Sequence, residues 1–156
     1  MNDAIIIASD HAGVEMKAAV AGELRRRGLS VTDAGPASAD PVDYPDYAAA
    51  VAGQVSGAAF PRGILICGSG IGMCIAANKF PGVRAAPCHD DLTAEMSRRH
   101  NDANVLCLSA DLLSDQHIDR MISTWLSTEF EGGRHARRVE KIQALERQIG
   151  DQQHPQ

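Results

Sequence analysis

Cys67 closes the short apolar run Gly63-Ile64-Leu65-Ile66 and opens the turn Gly68-Ser69-Gly70-Ile71-Gly72. A thiolate can attack as a nucleophile or move a proton, and a thiol near a helix N-terminus reaches that form near neutrality. The glycine-rich turn offers main-chain N–H groups that converge on an anion. Its glycines alternate as G-x-G-x-G, which is neither the dinucleotide fingerprint G-x-G-x-x-G nor a P-loop ending in Gly-Lys-Ser/Thr. The turn therefore reads as an oxyanion or phosphate site, with a merely tight strand-to-helix connection as the alternative. From position alone, Cys67 is either an activated thiolate or a packed core thiol.

His100 lies in the polar stretch Ser97-Arg98-Arg99-His100-Asn101-Asp102, at a helix end and just before an apolar run. The chain has six histidines, at 11, 89, 100, 117, 135 and 154, so residue type alone singles out none; His89, His117 and His154 read as solvated. No His-Glu-x-x-His spacing occurs, and Cys67, Cys74, Cys88 and Cys107 form no Cys-x-x-Cys pair, so no metal is expected. Cys74, Cys88 and Cys107 read as small buried hydrophobes in a reducing compartment. Arg134 and Arg138, four residues apart on one helix face, either grip a phosphate from two directions or belong to a solvated basic face with Arg137 and Lys141.

The elements that must position these residues alternate regularly. Strand-like runs occur at Ala4–Ser9, Leu29–Asp33, Gly63–Cys67, Val83–Pro87 and Asn104–Leu108, separated by segments with helical periodicity. Nearly continuous apolar runs such as AIIIAS and GILIC mark strands buried on both faces. Together they predict an α/β three-layer fold, Rossmann-like and doubly wound on a five-stranded parallel sheet. Ligands in such sheets bind at the carboxyl ends of strands, near a switch in strand order. Asp10-His11 follows the first strand and Cys67 the third, where that rule places a site. Residues 1–149 form a single domain, ending in an amphipathic helix over about 134–149 that packs on its own domain or on a partner subunit. Residues 150–156 are expected to be a frayed tail.

The 156 residues carry a formal net charge of -5. That balance gives no generic attraction for nucleic acid or anionic membrane, so any anion must be held by a local site. No apolar run approaches the ~18 residues of a membrane span. Met1-Asn2-Asp3-Ala4-Ile5 lacks the basic start of a signal peptide, and a cytoplasmic protein is expected.

Taken together, six segments resemble one family: Ser9-Asp10-His11-Ala12-Gly13, Asp43-Tyr44-Pro45, Gly63 to Gly72, Ile75-Ala76-Ala77-Asn78-Lys79, Arg99-His100-Asn101-Asp102-Ala103-Asn104-Val105-Leu106, and Phe130-Glu131-Gly132-Gly133-Arg134-His135. In this order they resemble the type B ribose-5-phosphate isomerase family, which also contains the galactose-6-phosphate isomerase subunits. The resemblance runs from about residue 4 to 149. It implies a cofactor-independent aldose–ketose isomerase of the pentose phosphate pathway, with ribose 5-phosphate and ribulose 5-phosphate as the leading pair.

The resemblance also implies roles. Cys67 would shuttle a proton between C2 and C1 through a cis-enediolate, whose charge the amides of Gly68, Ser69, Gly70, Ile71 and Gly72 would stabilise. His100 would be the acid that opens the furanose ring. Asp10 and Asn101 would bind sugar hydroxyls; His11, Arg134 and Arg138 would hold the phosphate. The family builds its site from two subunits, which implies a homodimer or tetramer. One departure stands out: the family usually carries an arginine where this chain has Asp111, in Ser109-Ala110-Asp111. That substitution opens the alternatives of a tetrose, allose or galactose 6-phosphate substrate. A non-catalytic sugar-phosphate-binding module on the same fold is the alternative of a different class.

Overall fold

The computed structural model describes residues 4–153. In chain order the elements are β1 (Ala4–Ser9), a 3-10 turn (His11–Gly13), α1 (Val14–Arg26), β2 (Ser30–Asp33), α2 (Tyr44–Ser56), β3 (Arg62–Cys67), α3 (Ile71–Ala77), β4 (Ala85–Pro87), α4 (Asp91–Arg99), β5 (Val105–Ser109), α5 (Asp115–Ser127) and α6 (Arg134–Gln153). All strand pairs are parallel, in the order β2-β1-β3-β5-β4. The order reverses between β1 and β3, so the ends of these two strands flank the crevice where such sheets bind ligands.

Alternation along the central strands explains the three layers. Ile5, Ile7, Ile64, Ile66, Leu106 and Leu108 face one way and pack against Val20 and Leu24 of α1 and Met121, Ile122 and Trp125 of α5. Ile6, Ala8, Leu65, Cys67, Val105 and Cys107 face the other way, against Ala48, Val51, Ala52 and Val55 of α2 and Met73 and Ala77 of α3. Both faces are covered, so these strands had to be apolar throughout. Each fully buried Ile, Leu or Met contributes roughly 1.5–3 kcal/mol relative to exposure.

Two boundaries differ from the sequence expectation by two residues or more, while β2, β3 and β5 shift by one. β4 begins at Ala85 rather than Val83, because the Val83 N–H is taken by Phe80 O and the Arg84 N–H by the Asn104 side chain. α6 runs through Gly150 to Gln153 instead of stopping at 149, since Gly150 does not adopt the left-handed conformation that caps a helix. The readings made for Met1–Asp3 and for residues 154–156 lie outside the described residues.

α6 lies loosely on its own domain. His135 and Val139 are buried, and Glu146 accepts the Gly82 N–H through both oxygens, at 3.0 and 2.9 Å. Ile142, Leu145 and Ile149, which lie toward the same side of this helix as Val139, are exposed. They border a groove of about 820 Å³ whose opposite wall includes the edge strand β4. Among the described residues no helix is long and apolar enough to cross a membrane.

Candidate active site

At the carboxyl ends of the strands, Asp10 follows β1 and Cys67 ends β3. The Asp10 N–H donates to Ile66 O at 3.0 Å, tying the two strand ends together. Its Oδ1 accepts the N–H groups of Ala12 and Gly13 at 2.9 and 3.2 Å, which commits one carboxylate oxygen to the turn and leaves the other for a ligand. His11 is exposed, and its Nδ1 accepts the Val42 N–H at 3.2 Å. In the neutral ring the hydrogen is then on Nε2, available to an anion.

Cys67 is only 5% exposed, and its Sγ accepts the Gly70 N–H at 3.1 Å. The Ser69 Oγ accepts the Ile71 N–H at 3.2 Å. α3 has only seven residues, so individual amides rather than a long helix dipole supply the positive potential here. Gly70 adopts φ 78°, and a Cβ there would lie 3.1 Å from Leu108 O. A Cβ on Gly72 would fall 2.6 Å from the Tyr44 ring, and one on Gly68 2.8 Å from Asp111 Oδ2. The glycines let three neighbours close around the sulfur-bearing turn. The Gly68 carbonyl, accepting from Ser109 Oγ at 2.6 Å and Asp111 N–H at 3.1 Å, locks that turn to the end of β5.

The remaining candidates gather at the opposite rim. His100 caps the C-terminus of α4, which brings the chain back to the start of β5. Arg98 anchors this turn, donating from Nη1 to Asp102 Oδ1 at 2.9 Å and to Ala103 O at 2.6 Å. Arg84 holds the carbonyls of Asn101 and Asp102, each at 3.0 Å from Nε. Asp102 takes φ 46°, a left-handed conformation that Asp tolerates better than most residues. The His100 and Asn101 side chains therefore project from a fixed turn. α6 starts beside it: the His100 and His135 rings stack with centroids 4.1 Å apart, and Glu131 N–H donates to Arg99 O at 3.0 Å. Arg134 and Arg138 are exposed on the first turns of α6.

The candidates therefore form two groups in one chain. Asp10, His11, Cys67, Gly68, Ser69, Gly70, Ile71 and Gly72 share the carboxyl rim; His100, Asn101, Arg134 and Arg138 share the amino rim. Gly63 pairs with Val105 at one end and Cys67 with Ser109 at the other. The four residue steps from Gly63 to Cys67 put about 13 Å between the rims.

His100, Glu131 and His135 present donor atoms within 4.8 Å of one another, a set that fits zinc in residue type. Two of these donor atoms are already engaged: Arg134 Nε donates to His135 Nε2 at 3.3 Å, and Arg99 grips Glu131 Oε2 at 3.2 and 2.9 Å. These guanidinium groups also oppose a divalent cation. The other cysteines are core thiols. Burial pushes Cys88 up to about 11, and the neighbouring Cys74, with burial, raises Cys107 well above the usual thiol range.

Two residues at these rims were quoted within sequence motifs without a role: Tyr44, whose ring covers Gly72, and His135, buried behind His100. The signal for His135 was its place directly after Arg134 in a segment already singled out.

Residues 5–142 match the ribose/galactose isomerase family. The probable ribose-5-phosphate isomerase B of Mycoplasma pneumoniae is 47% identical over 149 residues, covering 95% of this chain and 98% of that protein. The D-erythrulose-4-phosphate isomerase of Pectobacterium atrosepticum is 42% identical over 146 residues, covering 92% of this chain and 95% of that protein. The crystal structure of ribose-5-phosphate isomerase B from Mycoplasma genitalium with bound ribulose 5-phosphate superposes with a TM-score of 0.90 at 43% identity, covering 92% of this chain and 96% of that one.

Proposed function

The chain belongs to the ribose/galactose isomerase family, and we propose that it interconverts ribose 5-phosphate and ribulose 5-phosphate without a cofactor. It is an intramolecular oxidoreductase: the substrate's own carbons exchange oxidation states. The Cys67 thiolate takes the C2 proton of the open-chain aldose. The electron pair moves onto O1 and gives a cis-enediolate. The O2 hydroxyl proton passes to O1, the electron pair left on O2 forms the C2 carbonyl, and the proton taken from C2, or one from solvent, is delivered to C1. The turn at 68–72 stabilises the growing charge as an oxyanion hole does, with the Gly70 N–H on the Cys67 sulfur and the Ile71 N–H on Ser69 Oγ in the resting chain. The observation that carries this is the Cys67 sulfur, hydrogen-bonded to a loop amide at the end of β3, beside the strand-order switch.

His100 protonates the ring oxygen of the cyclic sugar so that the furanose opens. Asp10 and Asn101 take sugar hydroxyls, and His11, Arg134 and Arg138 take the phosphate. With the two rims about 13 Å apart, a site needing both draws its amino-rim residues from a second copy. A homodimer, or a tetramer built from such dimers, supplies them. The exposed Ile142, Leu145 and Ile149 support association.

The test is solvent-deuterium exchange at C1 of ribulose 5-phosphate, an open-chain ketose that needs no ring opening. C67A should lose it while staying folded; exchange at the wild-type rate would remove Cys67 from the role of base. A second reading keeps this chemistry and changes the sugar. The Asp111 carboxylate abuts Gly68 at the reacting end, has no hydrogen-bond partner among the described residues, and stands where the family usually has a basic group. A carboxylate there accepts hydroxyls and repels phosphate. The relative acting on D-erythrulose 4-phosphate is only slightly less similar than those acting on ribose 5-phosphate. Ranking kcat/KM over four-, five- and six-carbon aldose phosphates decides between the two.

A further inference from the structure

We infer that His135 is a positioning residue for His100, its ring stacked flat against the His100 ring so that the acid is held in one orientation. The role deepens the proposed isomerase mechanism and rests on His100 opening the sugar ring.

The stack is close and nearly parallel, with centroids 4.1 Å apart and planes 6° from each other. His135 is the buried member, 3% exposed, and His100 the half-buried one, so His135 forms the floor on which a substrate-facing ring rests. The surroundings fix that floor from several sides. Arg134 Nε–H donates to His135 Nε2 at 3.3 Å, which makes Nε2 the acceptor and leaves the hydrogen on Nδ1. The His135 N–H donates to Gly132 O at 2.9 Å, across a turn in which Gly132 and Gly133 take φ 70° and 52°. Glu131, whose N–H donates to Arg99 O, ties the segment carrying His135 to the end of α4, where His100 sits.

Charge fits the same arrangement. Two imidazolium rings would repel at this distance, so a flat stack beside an acid needs one ring to stay neutral. Burial first, then His100 and Arg134, hold His135 below the usual histidine range, with Arg138 acting in the same direction. Glu131 opposes them, but its Oε1 is 3.9 Å from His135 Nε2 and its other oxygen is bound to Arg99. His135 therefore presents an uncharged aromatic face to His100.

The full chain carrying H135A or H135F tests this in three readouts. H135A should lower kcat from ribose 5-phosphate about tenfold, the value of a lost stack, with KM within about threefold of wild type. H135F, which keeps the ring, should stay within about threefold in kcat. Deuterium exchange at C1 of ribulose 5-phosphate, which needs Cys67 and no ring opening, should be unchanged in both. In proton NMR spectra the His100 ring signals, displaced upfield by the neighbouring ring current, should move downfield in H135A and stay displaced in H135F. A KM rise at constant kcat would make His135 a substrate contact instead. Equal losses of turnover and exchange would make it a structural residue, and H135F behaving as H135A would remove the stack from the account. Each of these overturns the inference. A wild-type chain that turns over ribose 5-phosphate while H135A matches it sinks this role alone. A wild-type chain with neither turnover nor exchange sinks the isomerase and this role together.

Discussion

The two rims of the sheet are made of different material. At the carboxyl rim the working surface is backbone: the Gly70 amide on the Cys67 sulfur, the Gly68 carbonyl locked to the end of β5, and glycines where a Cβ would meet Leu108, Tyr44 or Asp111. At the amino rim it is side chain: Arg98 and Arg84 clamp the turn after α4, two imidazoles stack, and Arg134 and Arg138 reach into solvent from α6. On the proposed mechanism, the backbone surface recognises what all substrates of the reaction share, the charge of an enediolate. On the same proposal, the side-chain surface recognises what differs between them, the ring form and the place of the phosphate. Substitutions should therefore damage the first rim through geometry and adjust the second through affinity.

The largest effect tests whether the rims cooperate across copies. C67A and H100A should each lose roughly 10²- to 10⁴-fold in turnover of ribose 5-phosphate. Denatured together in equal amounts and refolded, they should regain about a quarter of wild-type turnover, because half the dimers are mixed and each of those holds one intact site of two. No recovery would break the division of labour between the rims. Next comes G70A. A residue with a Cβ at φ 78°, pressed on Leu108 O, costs about 1–2 kcal/mol in backbone conformation alone. Displacing the amide that holds the Cys67 sulfur should also lower kcat about 10²-fold. Urea unfolding and steady-state kinetics should both register it. R138A supplies the contrast: KM for the phosphorylated sugar should rise about tenfold or more, with stability within about 0.5 kcal/mol. A kcat loss with unchanged KM would move Arg138 out of the phosphate contact.

The smallest effect is in the pH dependence of stability. His135 is held below its unfolded value of about 6.5. As pH falls through that value the unfolded chain takes up a proton at this position before the folded chain does, so stability declines. Between pH 7.5 and 5.5 the urea midpoint of wild type should therefore drop more than that of H135F. Parallel drops would mean that His135 titrates alike in both states.

Much of this division was legible in residue order. The doubly buried strands announced themselves as AIIIAS and GILIC, and Asp10 and Cys67 followed them at the strand-order switch. His100 precedes the fifth strand and Cys67 ends the third, but it is the parallel register of those strands that sets the two residues on opposite rims. What sequence could not carry was contact. Nothing in the spacing of His100 and His135 reveals a stack, because it is made by two helices joined through α5. The apolar positions of α6 predict a stripe packed on its own domain or on a partner, and Ile142, Leu145 and Ile149 stand exposed in the single chain. Periodicity reports that a face is apolar and is silent about what covers it.

That uncovered ridge has a kinetic consequence. If a second copy closes the groove beside β4, working sites form by collision, and their number at low concentration grows with the square of the amount of chain. Specific activity would then fall on dilution and return on concentration. Placing Asp at 142 or 145 would move that threshold upward while leaving every group that touches the sugar in place.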